Sequence, residues 1–368
     1  MTSGTGLTNA GYDPSMMRMA APFPIRFPLL LAALLAACSS TGTPPFDPGD
    51  SGGTGVTGRI PLVELAPDRY LGFEGGLYPG GGNAPPADHA AEGTRRAALV
   101  RPLDGEGRPD PGGRIVLLSI GMSNTTQEFC GGAPPCDPWT FAGQAAADPA
   151  FDQADVAIVD GAFGGEPAAE WESPEDENYR RVLENRLAPL GLTEAQVQVV
   201  WVKQANPRPG VSLPDLAADA YALERSLGRI VRALAERYPN LRIVYLSSRT
   251  YAGYAVTPLN PEPFAYETGF AVKWVVAAQI EQARTGAVDA ESGDLAYARA
   301  PWVAWGPYLW ADGEEARGDG LRWVRADFVE DGTHPSTAGA AKVGELLLEF
   351  LTTAPTARCW FVAGEVCG

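Results

Sequence analysis

The chain has 368 residues, 45% of them hydrophobic and 20% charged, with a formal net charge of −17. That length supports a sizeable core, and so acidic a surface repels a phosphate backbone, which excludes nucleic acid as a partner. Two histidines, His89 and His334, are too few for a zinc site built on several imidazoles, and no Cys-x-x-Cys pair stands at metal spacing; neither a metal nor a cofactor is expected.

The N-terminus reads as an address. Residues 27–37, FPLLLAALLAA, form an apolar run of signal-peptide length after Arg18 and Arg26. The run is too short to span a bilayer, which takes about 20 apolar residues. It ends Leu35-Ala36-Ala37-Cys38, which resembles a bacterial lipobox. The resemblance implies a lipoprotein signal peptide over 1–37, with Met16, Met17 or Met19 as alternative starts, and acylation of Cys38. Acyl chains supply membrane affinity at ~0.8 kcal/mol per buried CH₂. The expected location is the bacterial cell envelope, lipid-anchored and facing the periplasm or the exterior. Residues 38–59 are rich in Gly, Ser, Pro and Thr and are expected to form a disordered tether. Two local cysteine pairs, Cys130 with Cys136 and Cys359 with Cys367, are expected to be disulfides in an oxidising compartment, leaving Cys38 over.

Residues 60–113 read as a loop-rich arm, with glycine, proline and aromatic punctuation. From 114 onward, short apolar runs alternate with helical patterns. Strands are expected at 114–121, 155–164, 197–205, 241–248 and 301–309. Helices are expected at 174–188, 214–237, 267–284 and 336–352. The clearest has Leu216, Ala220, Leu223, Leu227, Ile230 and Leu234 at spacings of four and three. The last opens at Ser336 as an N-cap. Strands apolar on both faces, alternating with helices, predict a central parallel sheet in a flavodoxin-like three-layer α/β/α sandwich over 114–368. Ligands of such sheets bind at the carboxyl ends of the strands.

The chemistry-bearing residues fall there. The first strand runs into Gly121-Met122-Ser123-Asn124, the second into Asp160-Gly161-Ala162-Phe163-Gly164-Gly165, and the third into Lys203-Gln204-Ala205-Asn206. Asp331-Gly332-Thr333-His334-Pro335-Ser336 precedes the last helix. This order resembles the SGNH (GDSL-like) hydrolase superfamily. GMSN is similar to the GQSN first block of carbohydrate O-acetylesterases, GGEPAAEW to their second, WVKQAN more weakly to their third, and DGTHPS to their last. The resemblance spans about residues 114–352. It implies Ser123 as nucleophile, His334 as general base and Asp331 as the carboxylate that orients it. The Ser123 N–H, Gly164 or Gly165 N–H and the Asn206 side chain would form the oxyanion hole. Two departures stand out: a proline follows Asn206, where the third block usually has an aspartate, and Lys203 stands where some relatives have a histidine. A serine hydroxyl needs an adjacent base, and that base needs a carboxylate to fix its tautomer, so the residue types agree with the resemblance.

Asn124, Arg249, Trp310 and His89 are candidate substrate contacts. Against this, a lone histidine such as His89 reads more readily as structural, Arg249 as a surface ion pair, and the aromatic group Trp302, Trp305, Tyr308, Trp310 and Trp323 as packing. The expected function is an envelope-anchored serine esterase acting on acylated carbohydrate through an acyl-enzyme. The alternatives are a non-catalytic surface binding module of the same fold and an acyltransferase on envelope polysaccharide. The anchor is tested first: Cys38→Ser should release the protein from membranes or leave it unprocessed, as read by fractionation and by mass spectrometry of the N-terminus. A wholly soluble wild type with an unmodified N-terminus would refute the lipoprotein reading.

Overall fold

In a computed structural model the described residues are 55–367. The residues expected to form the signal peptide, Cys38 and the expected tether up to residue 54 lie outside them. Five parallel strands form the central sheet: β1 Ile115–Gly121, β2 Val156–Asp160, β3 Val197–Lys203, β4 Ile243–Ser247 and β5 Trp302–Trp305. Their order is β2-β1-β3-β4-β5, the flavodoxin-like order. Every residue of β1, β3, β4 and β5 is buried, as expected of a sheet covered on both faces. All five expected strands are present, the first short of its expected span by one residue and the others shorter at one or both ends.

Among the described residues, seven α-helices of six residues or more flank the sheet: α1 Ala87–Ala97, α2 Ser123–Phe129, α3 Phe141–Ala147, α4 Glu177–Val182, α5 Asp219–Arg237, α6 Phe264–Thr285 and α7 Thr337–Thr353. On one side α2 and α3 pack on α7, and α5 packs on α6 in the other layer. The side chain of Ser336 caps α7 by accepting from the Gly339 N–H, as the sequence suggested. The helix expected at 214–237 starts later, at Asp219. Leu216, expected on its apolar stripe, lies ahead of it and is 91% exposed. The reason is local: Asp215 Oδ1 accepts from the Ala217 N–H, and Asp219 Oδ2 accepts from the Gly210 and Val211 N–H groups. The side chains bend the chain into a turn before the helix can begin.

The N-terminal arm is more ordered than its composition suggests. It carries α1, a helical turn at Leu62–Leu65 and a short hairpin pairing Arg69–Tyr70 with Phe73–Glu74. It is bolted to α6 and to the β5 side of the sheet. Lys273 Nζ donates to the carbonyls of Glu74 and Gly75, Trp305 Nε1 donates to the Leu77 carbonyl, and Tyr266 Oη donates to the Ile60 carbonyl. The arm thus protects an edge strand that would otherwise offer unpaired backbone groups. The last residues assigned to the tether are also docked: the Thr57 and Gly58 N–H groups both donate to the Asp312 carboxylate at 2.7 Å. Both expected disulfides are formed, Cys130–Cys136 and Cys359–Cys367.

His89 belongs to this arm and not to a substrate pocket. It is 4% exposed, its Nε2–H donates to the Val303 carbonyl at 2.9 Å, and its ring lies 5.1 Å from that of Trp302. Trp302 Nε1 donates back to the His89 carbonyl. Burial lowers the imidazole pKa to about 4, partly opposed by the Val303 bond and by Glu92. The folded state therefore binds this proton less readily than the unfolded chain. The stability this neutral imidazole contributes is full above pH 6.5 and is lost as pH falls toward about 4. His89→Gln keeps a donor for Val303 without a titrating ring. The stability difference between wild type and this variant should shrink by roughly 2–3 kcal/mol across that window, as read by urea unfolding at a series of pH values. A difference independent of pH would overturn the assignment.

Candidate active site

Gly121 ends β1 and sets the stage. A methyl group there would meet Thr125 Oγ1 at 2.2 Å and the Lys203 carbonyl oxygen at 2.5 Å, so only glycine lets the chain turn this tightly into α2. Ser123 is the first residue of α2. Its Oγ lies 2.8 Å from His334 Nε2, and His334 Nδ1 lies 2.5 Å from Asp331 Oδ2. A carboxylate can only accept, so Nδ1 carries the proton and Nε2 is free to accept the serine hydroxyl hydrogen. The structure brings these three sequence-assigned residues into one relay at the carboxyl end of the sheet.

The Asp331 carboxyl has other duties. Its Oδ1 accepts from the Thr333 N–H at 2.8 Å and the His334 N–H at 2.9 Å, folding Asp331–His334 into a compact turn. Partial burial pushes this carboxyl up, but the His334 N–H, the imidazole and the Thr333 N–H outweigh it and hold it below the ordinary carboxylate value. It is ionised when His334 needs a partner. Gly332 takes φ +64°, and a side chain there would collide with the Tyr254 carbonyl, so the turn also depends on glycine. Side chains of His334 and Asp331 are 22% and 28% exposed, so solvent reaches the relay.

On the other side of Ser123 lies the loop after β2. A Cβ on Gly164 would sit 3.7 Å from Ser123 Cβ, which puts this backbone beside Ser123. Gly165 follows with φ +82°. Among the described residues, the N–H groups of Ser123, Gly164 and Gly165 donate to no other backbone group in turns or loops. Asn206 lines a small cavity with Asn260, Glu267 and Thr268. Its side chain makes no hydrogen bond among the described residues, while its carbonyl accepts from Asn260 Nδ2 at 3.2 Å.

The remaining candidate substrate contacts are interior residues. Arg249 is 1% exposed and Asn124 2%, and Arg249 Nη1 donates to Asn124 Oδ1 at 2.8 Å. Arg249 is neither a surface ion pair nor open to a substrate carboxylate. Trp310 is fully buried and donates Nε1–H to Glu262. Lys203 is also buried, where it forms an ion pair with Glu128 of α2; burial lowers its pKa against the pull of Glu128.

Sequence reasoning passed over Asp160, the last residue of β2. It is 2% exposed. Its carboxylate accepts from Ser119 Oγ at 2.7 Å, from Thr126 Oγ1, and from the Gly132 and Ala162 N–H groups at 3.1 Å. One side chain thereby joins β1, α2, the disulfide loop and the start of the Gly164 loop. Burial pushes it up to about 6, opposed by Thr126, Ser119 and Ala162. The only signal in the sequence is a carboxylate ending an apolar strand, where burial is unexpected without several donors.

The fold and the order of the blocks along it are those expected from the SGNH resemblance. No family model matches the chain, and no curated protein is significantly similar to it. Among solved structures, a carbohydrate esterase family 2 enzyme with a carbohydrate binding domain, from Corynascus thermopiles (Myceliophthora fergusii), is similar at 17% identity, covering 67% of this chain and 68% of that one, with a TM-score of 0.35. A single-site variant of an acetyl-xylooligosaccharide esterase from Geobacillus Stearmophilus is similar at 17% identity, over 64% and 93%, with a TM-score of 0.34. A family two carbohydrate esterase from Clostridium thermocellum, in complex with cellohexaose, is similar at 15% identity, over 67% and 65%, with a TM-score of 0.34.

Asp160→Ala should leave its buried donors unpaired and lower stability by on the order of 3–5 kcal/mol, measured by urea unfolding. A loss below about 1 kcal/mol would show that these donors find other partners.

Proposed function

We propose that the protein is a serine ester hydrolase of SGNH type, acting on O-acetylated carbohydrate. The observation that carries this reading is the Ser123–His334–Asp331 relay, with hydroxyl, imidazole and carboxylate in bonding contact. In this reading His334 Nε2 takes the Ser123 proton as Oγ attacks the ester carbonyl. The tetrahedral oxyanion is met by the N–H groups of Ser123 and Gly164 or Gly165, with the Asn206 side chain as a further donor. The imidazolium, steadied by Asp331, then protonates the leaving sugar oxygen, and an acyl-enzyme remains on Ser123. Water, activated by the same imidazole, attacks the acyl-enzyme and releases the acid. If a sugar hydroxyl took the place of that water, the same residues would act as an acyltransferase; solvent access to the relay favours hydrolysis. Lipid anchoring through Cys38 would hold the enzyme in the envelope, beside acylated polysaccharide.

A fluorophosphonate probe should label one serine, Ser123, and labelling should be lost when His334 can no longer serve as the base, as in His334→Ala. Ser123→Ala and His334→Ala should each lower kcat by about 10⁴–10⁶-fold, and the pair together little more, because the relay acts as one unit. Asp331→Asn should cost somewhat less. Product analysis with an acetylated oligosaccharide, with and without an acceptor sugar, separates hydrolysis from transfer. A folded protein that resists the probe and cleaves no acetyl ester would instead be a surface binding module.

A further inference from the structure

Asn124 and Thr333 are the chain neighbours of the nucleophile and the base. Asn124 Nδ2 donates to the Thr333 carbonyl at 2.8 Å, so one buried amide spans the gap between the two halves of the relay. An amide has two unlike ends that differ little in shape. Rotated by half a turn, it would set its oxygen against the Thr333 carbonyl oxygen and break the bridge. What prevents that rotation is Arg249, whose Nη1–H donates to Asn124 Oδ1. A guanidinium has no acceptor, so only the oxygen of the amide can face it.

Arg249 is held in a way that makes little sense for stability alone. It is buried at 1% exposure, and its Nε and Nη2 have no hydrogen-bond partner among the described residues. The carboxylates of Glu128, Glu262 and Asp331 attract it without bonding to it, while the Lys203 ammonium repels it. Its backbone is fixed by a bond from the Arg249 N–H to Thr268 Oγ1 on α6. Buried donors left unmade are costly, and such costs concentrate at functional sites.

We propose that Arg249 is a positioning residue that locks the Asn124 amide in one orientation, so that Asn124 holds the Asp331–His334 turn within reach of Ser123. This rests on the esterase reading for its kinetic consequence but not for its geometry. Arg249 touches no substrate; it acts through Asn124 on His334.

With two histidines in the chain, imidazole signals from histidine-labelled full-length protein report on His334 directly, with the distant, buried His89 as internal reference. Wild type should show a sharp downfield Nδ1–H resonance for His334. In Arg249→Met and in Asn124→Ala that signal should broaden or shift while His89 is unchanged. On an acetyl ester, kcat should fall roughly 10–10²-fold in both variants, the scale expected for sub-ångström to ångström misplacement, with KM within about twofold. Arg249→Lys, which keeps one donor for Oδ1, should retain most of the rate. The double variant should be no worse than the poorer single one, because both break the same bridge. If Arg249→Met does not fold, Asn124→Ala and Arg249→Lys decide the matter alone. Folded variants with a wild-type His334 resonance and unchanged kcat would overturn the proposal. If the wild type cleaves no ester but its His334 signal depends on Arg249, the esterase reading falls and the positioning role stands.

Discussion

Helix α2 is seven residues long, well under the roughly 12–15 at which an isolated helix becomes even marginally stable in water. It is also polar, reading SNTTQEF, so apolar burial alone cannot hold it. What fixes it is a set of buried polar ties to the surrounding strand ends. Thr125 Oγ1 donates to the Lys203 carbonyl, Thr126 Oγ1 to Asp160, and Glu128 pairs with the Lys203 ammonium. Phe129 at its end stacks on Trp201 of β3. Ser123 stands on a helix whose position is dictated by β1, β2 and β3 together, and the geometry of the relay inherits their rigidity. Polar networks of this kind hold when most of their members are satisfied, and the hydroxyls and carboxylates around α2 are buried and paired, the unmade Nε and Nη2 donors of Arg249 being the exception.

The division of labour across the site follows from this. The Ser123 side comes from the sheet's own strand ends, while the His334 side arrives on a separate turn ahead of α7. That turn is shaped locally, by Asp331 Oδ1 gathering two backbone N–H groups and by a glycine with positive φ. A single carboxylate therefore builds the turn with one oxygen and orients the imidazole with the other.

The parts of the molecule written in apolar periodicity were legible in the sequence. The five strands, α6, α7 and most of α5 follow from runs and spacings of hydrophobic residues, and the relay follows from block order and residue type. What periodicity does not encode was missed. Helix α1 buries His89, Gly93 and Ala97, small or polar residues that leave no apolar stripe to read. Helix α2 is secured by hydroxyls and charges. The docking of Thr57 and Gly58 relies on a carboxylate more than 250 positions away, which composition cannot reveal. Arg249 and Asn124 were singled out as substrate contacts by their place after strands, yet both are buried; the sequence cannot tell a side chain facing solvent from one turned inward onto a neighbour. Asp160 was given no role because three donors distant in sequence, Ser119, Thr126 and Gly132, are needed to explain its burial.

The clamping of the arm onto β5 has a consequence for how the chain acquires its shape. His89 and Trp302 are 213 positions apart in sequence, yet each hydrogen-bonds within the other's immediate surroundings. A chain emerging N-terminus first presents the arm long before the strand it covers exists. The arm must wait, unable to bury its side of the contact, until nearly the whole domain has been made. Contacts of such long range carry a high loop-closure cost and slow folding. Until they form, β5 remains a bare sheet edge, open to pairing with another molecule. Closure of this seam therefore removes an exposed edge, and the nascent protein stays open to intermolecular pairing on the β5 side until it forms.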